Sequence, residues 1–200
     1  AAAAVSGPVK VSADDGTNAV LSAGVDGFVV YAAADDHPYL QTALQRHLPV
    51  VIVDQPKNIP DASQVCIDDR AAMRGLAEHV IGLGHHEIAL LTMRLGAERR
   101  AGDQTAGVVT PDRLQQSHFH VQTERIAGVR EAMAAAGLDP DTLTVVESYE
   151  HLPASGGAAA ELALQTNPRL TALMCTADVL ALSAMAAGRG ALLSIGAGAG

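Results

Sequence analysis

The sequence has few aromatic residues and little positive charge. Its 200 residues contain no Trp, three Tyr and two Phe, although 48% of them are hydrophobic. A core must therefore be built from Ala, Val, Leu and Ile, and the chain is long enough to bury one. The formal net charge is −9, without any extended run of Lys or Arg. Because such a surface repels phosphate, these residues alone are not expected to hold nucleic acid.

Cysteine and long apolar runs are also scarce. The two cysteines, Cys66 and Cys175, lie in apolar stretches without CxxC spacing. This pattern predicts buried free thiols in a reducing compartment. The sequence shows no uncharged apolar run long enough to span a membrane and no cleavable leader, so we expect a cytoplasmic protein that does not contact a membrane.

Short apolar runs alternate with amphipathic stretches along the chain, which predicts an α/β fold with parallel sheets flanked by helices. The predicted strands are 27–31, 49–53, 65–67, 87–91, 143–146, 170–175 and 192–195, and the predicted helices are 38–44, 71–83, 124–136, 156–165 and 178–187. Asp68-Asp69 and Asp178 are predicted helix N-caps. Residues 94–117 are polar and lack a period, which predicts a long functional or mobile loop.

Four segments between residues 24 and 188 carry a resemblance to a known family. They are VDGFVV at 25–30, LPVVIVD at 48–54, IDDR at 67–70 with EHVIGLGH at 78–85, and ERIAGVR at 124–130 with ALMCTADVLAL at 172–182. In this order and at this spacing, they resemble the lactose-repressor (LacI/GalR) family of transcription regulators.

The resemblance implies a two-lobed fold like that of periplasmic binding proteins. Residues 1–66 would form the N-terminal lobe, which is expected to be incomplete, residues 67–190 the C-terminal lobe, and residues 191–200 the start of the return to the first lobe. The implied function is that of the effector-binding and dimerisation domain of a bacterial repressor. A sugar-like or nucleobase-like effector would bind in the cleft between the lobes of a homodimer. Operator DNA would be bound by a helix-turn-helix domain that is expected to lie outside these 200 residues.

The resemblance also indicates Arg125, Asp178 and Asp54 as ligand-binding residues. A guanidinium can grip hydroxyls or a carboxylate with two parallel hydrogen bonds, but Arg125 could instead pair with Glu124 or Glu131 on a solvated helix. Asp178 starts a helix, where an N-cap role explains an Asp equally well. Asp54 ends a strand, where it could accept hydrogen bonds from a sugar or stabilise a turn.

Three ring-bearing residues complete the predicted ligand-binding set. Tyr31 ends a predicted strand and Tyr149 follows another, so each could line a pocket or pack in the core. His120 lies in the segment that enters the cleft in relatives. Together with His118 it forms an H-x-H pair, but no Cys, Asp or Glu at ligand spacing completes a metal site nearby. We therefore expect no metal.

The sequence does not favour an enzyme. Residues 195–200 imitate the start of a dinucleotide-binding glycine turn, but no helix or acidic residue at the required spacing follows it. The G-x-S-x-G motif of serine hydrolases is absent. We expect no catalytic residue and no cofactor. The alternative to a repressor is a periplasmic sugar- or solute-binding protein of a transporter, which would share the fold and the cleft.

Overall fold

A computed structural model of the chain describes residues 13–34, 36–96, 105–150 and 152–190. The chain divides between Cys66 and Ile67 into two compact units. Each unit contains a sheet with helices packed on it. Within the described ranges, the structure contains no helix that could span a lipid bilayer.

The first unit is built on a three-stranded parallel sheet. Its elements are α1 (Ala13–Ser22), β1 (Phe28–Tyr31), α2 (Pro38–Gln45), β2 (Val50–Val53) and β3 (Ser63–Val65), and the strand order is β1-β2-β3. Leu40 of α2 packs with Val50 and Ile52 of β2 in its core. Because side chains alternate between the two faces of a strand, Val29 and Tyr31 lie on the other face, where each is 74% exposed.

The second unit is built on a four-stranded sheet in the order β5-β6-β4-β7, in which only β5 is antiparallel. Its elements are α3 (Asp69–Gly82), β4 (Ile88–Met93), β5 (Ala106–Val108), α4 (Pro111–Gln115), α5 (His120–Ala135), β6 (Thr144–Ser148), α6 (Pro153–Thr166), β7 (Ala172–Cys175) and α7 (Asp178–Gly190).

The central strand β4 is buried on both faces. Ile88 and Leu90 pack against residues of α3 and α5, whereas Ala89 and Leu91 pack against residues of α6 and α7. All four side chains are at most 2% exposed. The sheet is thus covered by two helices on each face, as the alternation of apolar and amphipathic segments predicts.

Several predicted elements differ from the observed ones. Residues 94–117, predicted as one loop, contain β5 and α4, because Pro111 suits a first helical turn and the Thr110 side chain caps it by accepting from the backbone N–H of Arg113. Helix α5 begins at His120, earlier than predicted, and α1 was not predicted. The predicted strand 65–67 lies at 63–65 instead. The predicted strand 192–195 lies outside the described residues.

The cysteine prediction is half correct. Both thiols are free, but Cys66 is exposed, because it lies after an edge strand, β3, whose residues are all exposed. Cys175 is half-buried in the second unit, and desolvation there raises its pKa to about 11. Its thiol therefore stays protonated near neutral pH.

Candidate functional site

The carboxyl ends of β4, β6 and β7 lie along one edge of the second sheet, since these three strands are parallel. Open α/β sheets generally bind ligands at this edge. Arg94, Tyr149 and Thr176 directly follow the three strands. We call this edge, with the side chains that reach it, the carboxyl edge.

Arg125 is fixed at the carboxyl edge by two partners from other elements. Its Nε and Nη2 donate to Oδ1 of Asp69 at 2.9 and 2.8 Å, and its Nη1 donates to the carbonyl oxygen of Thr176 at 2.6 Å. Asp69 is 1% exposed and Arg125 is 22% exposed. A guanidinium carries five N–H groups, and these contacts use three of them, so N–H groups remain for a ligand.

Arg70, and not Arg125, makes the ion pairs with Glu124 and Glu131 that were the alternative for Arg125. Arg70 donates to both carboxylate oxygens of Glu124 at 2.9 and 3.0 Å and to Glu131 at 3.1 Å. These bonds raise the pKa of Arg70 above its ordinary value, the hydrogen bond to Glu124 most of all. Glu124 and Glu131 thus belong to a surface cluster, and Arg125 turns towards the sheet.

Buried polar side chains form hydrogen bonds around the base of the Arg125 site. Thr92 of β4 donates to Oε1 of Gln122 at 3.0 Å, and Oγ1 of Thr176 accepts from the backbone N–H of Met93 at 3.2 Å. Thr92, Gln122 and Thr176 are all buried. The first bond ties the first turn of α5 to β4, and the second ties the end of β4 to Thr176 after β7. They restrict the orientation of Arg125 before any ligand binds.

Glu147 is a second buried carboxylate at this edge. Arg113 of α4 donates to its Oε2 from Nε and to its Oε1 from Nη2, both at 2.8 Å. The backbone N–H of Leu95 also donates to Oε1, at 2.6 Å. Glu147 is 1% exposed and Arg113 is 10% exposed. Glu147 therefore holds α4 and the segment after β4 against the sheet.

The other predicted residues of the second unit lie at the same edge. Tyr149 is half-buried, and its ring covers Gly107 of β5, where a Cβ would clash with the phenol. Asp178 is exposed. It was predicted as the N-cap, the residue before the helix, but it is the first residue of α7. Its Oδ1 accepts a hydrogen bond from the backbone N–H of Val179 at 2.8 Å. His120 is half-buried and begins α5.

Tyr31 and Asp54 lie in the first unit, at the corresponding edge of its sheet. Tyr31 ends β1 beside Val53 of β2, and Asp54 is the next residue after Val53. Asp54 has a φ of 76°, and its backbone N–H donates to Val65 at 2.9 Å. Four other non-glycine residues of this unit, Ala32, His47, Asn58 and Asp61, also have a positive φ, so this conformation does not by itself single out Asp54. The predicted residues thus form one group in each unit.

The sequence missed the residues that hold the site together. Asp69 was identified only as part of a helix cap, while Glu147, Arg113 and Gln122 were not singled out. One signal was available for Glu147, because it interrupts the apolar run of a strand, where a charge needs a partner. In the described part of the chain, no three His, Cys, Asp or Glu side chains form a group that could hold a metal ion.

Comparisons with known proteins agree with this architecture. A transcriptional regulator of the helix-turn-helix type from Mycobacterium tuberculosis is 68% identical over 171 residues, which are 86% of this chain and 46% of that protein. The crystal structure of a LacI family regulator from Corynebacterium glutamicum superposes with a TM-score of 0.81 and 31% identity, covering 92% of this chain and 53% of that one.

A regulator named CelR, solved with cellobiose, superposes with a TM-score of 0.72 and 23% identity, over 90% of this chain and 49% of that one. At this identity the likeness shows the fold alone. The chain spans about half the length of these relatives. Residues 12–197 match the family described as periplasmic binding proteins and the sugar-binding domain of the LacI family. With a match over most of its length, the chain belongs to this family and has its periplasmic-binding-protein-like fold.

Proposed function

We propose that this chain is the effector-binding and dimerisation part of a transcription repressor. The effector is a small sugar-like or nucleobase-like molecule, and its binding changes the affinity of the full-length protein for operator DNA. The observation that carries the proposal is the Arg125 guanidinium, which Asp69 and Thr176 hold at the carboxyl edge while some of its N–H groups remain for a ligand.

The side chains at this edge suit a molecule rich in hydroxyl or amide groups. Arg125 donates, the exposed carboxylate of Asp178 accepts, and the ring of Tyr149 offers an apolar face. Small-molecule sites typically combine an apolar surface with a small number of polar groups at fixed positions. In the first unit, Tyr31 and Asp54 offer the same combination of a ring and a carboxylate.

DNA binding requires a different part of the full-length protein. The chain carries a formal charge of −9, which opposes contact with phosphates. We assign operator binding to a helix-turn-helix domain, the feature for which the Mycobacterium tuberculosis relative is named. Effector and DNA then influence each other's affinity by the same factor, because coupling between binding sites is reciprocal.

The proposal includes a homodimer. Helix α7 exposes Leu182 and Met185 by 67 and 44%. These residues are three positions apart and therefore lie on one face of the helix. Leu152, just before α6, is 53% exposed, and α6 packs against α7. Such an apolar surface is typical of a protein–protein contact.

The alternative, a periplasmic solute-binding protein of a transporter, shares the fold but is disfavoured. The 68% identical relative is a transcriptional regulator. The names of the reported relatives are those of regulators and not of enzymes, and the site that we describe is arranged for binding.

A thermal-shift screen of sugars and nucleobases tests the proposed function. We expect at least one compound to raise the Tm of the wild-type chain and to have little effect on Arg125→Ala, since ligand binding stabilises the folded state by mass action. Arg169→Ala is the matched control, because Arg169 lies in the same unit but is 80% exposed. Equal stabilisation of wild type and Arg125→Ala by every active compound would remove Arg125 from the site.

A further inference from the structure

A third guanidinium of the carboxyl edge belongs to Arg94, which directly follows β4 and is half-buried. Its Cζ lies 5.4 Å from the centroid of the Phe119 ring. A guanidinium within about 6 Å of a ring centroid is attracted to the face of the ring, and this contact uses none of its N–H groups. Phe119 thus attracts the Arg94 guanidinium without using its donors.

Arg94 differs in charge balance from the other two arginines at this edge. Arg125 pairs with Asp69 and Arg113 pairs with Glu147, and both carboxylates are 1% exposed. Among the residues that the structure describes, no carboxylate neutralises Arg94. A half-buried charge without a counterion is costly.

The helix beside Arg94 does not offset this charge. Phe119 is the N-cap residue of α5, and its side chain makes no capping hydrogen bond. The N-terminus of a helix carries a partial positive charge. Arg94 therefore lies next to a dipole end of its own sign. A bound anionic group would offset both the charge of Arg94 and the partial positive charge at the start of α5.

We propose that Arg94, held on the Phe119 ring, binds an anionic oxygen group of a small molecule, such as a phosphate or a carboxylate. This inference rests on the proposed function, because it assigns one part of the effector to the same edge. The planar guanidinium matches two oxygens of such a group at once. The net charge of −9 opposes the many phosphates of a nucleic acid more strongly than one anionic group, so we assign the group to a small molecule.

Inorganic phosphate is the probe. The Tm of the wild type, Arg94→Gln and Arg169→Gln is measured as phosphate replaces chloride at constant ionic strength and pH. We expect phosphate to stabilise the wild type and Arg169→Gln equally, and Arg94→Gln by less than half as much. Equal stabilisation of Arg94→Gln, or none of the wild type at concentrations of tens of millimolar, would overturn the proposal.

A second measurement is made on the wild-type chain, which keeps the charge of Arg94. It therefore tests the proposal even if Arg94→Gln does not fold. The arginine Nε–H resonances of the wild-type chain are followed by NMR during the phosphate titration. The Arg94→Lys variant identifies the Arg94 resonance by its disappearance. We expect that resonance to shift most, and its failure to move while phosphate binds would refute the subsite.

Paired ligands separate this proposal from the proposed function. Glucose is compared with glucose 6-phosphate, and adenosine with its monophosphate, on the wild type, Arg94→Gln and Arg125→Ala. A preference for the phosphorylated partner that Arg94→Gln abolishes supports the subsite, whatever the result for Arg125. If a neutral ligand depends on Arg125 while no phosphorylated ligand depends on Arg94, the proposed function stands and the subsite is wrong.

Discussion

Asp69 and Glu147 are carboxylates that the fold buries almost completely, and each of them holds an arginine of the candidate site. A buried ion pair adds little net stability compared with apolar residues of the same size, because both charges lose their hydration. These pairs therefore matter mainly because they fix the positions of the two arginines. Asp69 orients Arg125, while Glu147 fixes Arg113 and the backbone at Leu95.

Removing one partner of such a pair is strongly destabilising, because the remaining charge stays buried without a counterion. Glu147→Ala leaves the Arg113 charge buried and takes away the acceptor of the Leu95 N–H. We expect it to lower the free energy of unfolding by about 3–5 kcal/mol, measured by urea denaturation.

The control is Glu78→Gln, in an ion pair whose side chains are 49 and 51% exposed. Exposed pairs contribute little to stability, because water and salt screen the two charges. If Glu147→Ala costs no more than Glu78→Gln, Glu147 does not hold this part of the site.

At the scale of the elements, the crossing of α3 and α5 sets where Arg125 lies relative to Asp69. The two helices approach closely at Gly128, where a Cβ would clash with the carbonyl oxygen of Arg70 and lie 3.0 Å from the N of Arg74. Both neighbours are backbone atoms, which cannot rotate away. A side chain at this position must therefore push the helices apart.

Gly128→Ala is expected to destabilise the protein by about 1–3 kcal/mol, the usual range for overpacking, and to weaken effector binding through Arg125. Gly75→Ala is the matched control in α3, because a Cβ there meets nothing within 4 Å. That change should stabilise the helix by about 0.5–1 kcal/mol. Thermal unfolding of both variants measures the contrast, and changes of equal sign and size would contradict the close crossing.

Much of the second unit could be predicted from the sequence because its signals are local. Apolar runs set the strands, and Asp68 caps α3 by accepting from the N–H of Ala71, as predicted. The start of α5 could not be placed, because its N-cap Phe119 makes no capping bond and its first turn contains no acidic residue. Strand β5 has three residues and depends on pairing with β6, which a local pattern does not reveal.

Much less of the candidate site could be predicted. Arg125 was identified by resemblance, but its partner Asp69 lies 56 positions earlier in the chain. Arg113 and Glu147 are 34 positions apart. Such pairs form only when distant helices and strands meet, so no spacing rule along the chain could find them.

On the scale of the whole molecule, the proposed dimer depends on the exposed face of α7. Leu182→Glu places a charge on this face and is expected to convert a dimer into a monomer, because the desolvated charge would remain unpaired. Leu83→Glu is the control, since Leu83 is exposed to the same degree, 66 against 67%, at the end of α3.

Sedimentation equilibrium gives the mass of each variant. We expect a dimer for the wild type and Leu83→Glu and a monomer for Leu182→Glu. A wild type that remains monomeric at high concentration, or a Leu182→Glu variant that remains dimeric, would show that α7 does not mediate the association.

The proposed effector site centres on Arg125, which Asp69 and Thr176 hold in place. The most direct measurement is calorimetric titration of the best compound from the screen into wild type, Arg125→Ala and Arg169→Ala. Loss of charge-assisted hydrogen bonds costs about 1.5–3 kcal/mol, which corresponds to a Kd about 10- to 150-fold higher. We predict this increase for Arg125→Ala and an unchanged Kd for Arg169→Ala. The same Kd in all three proteins would contradict the account.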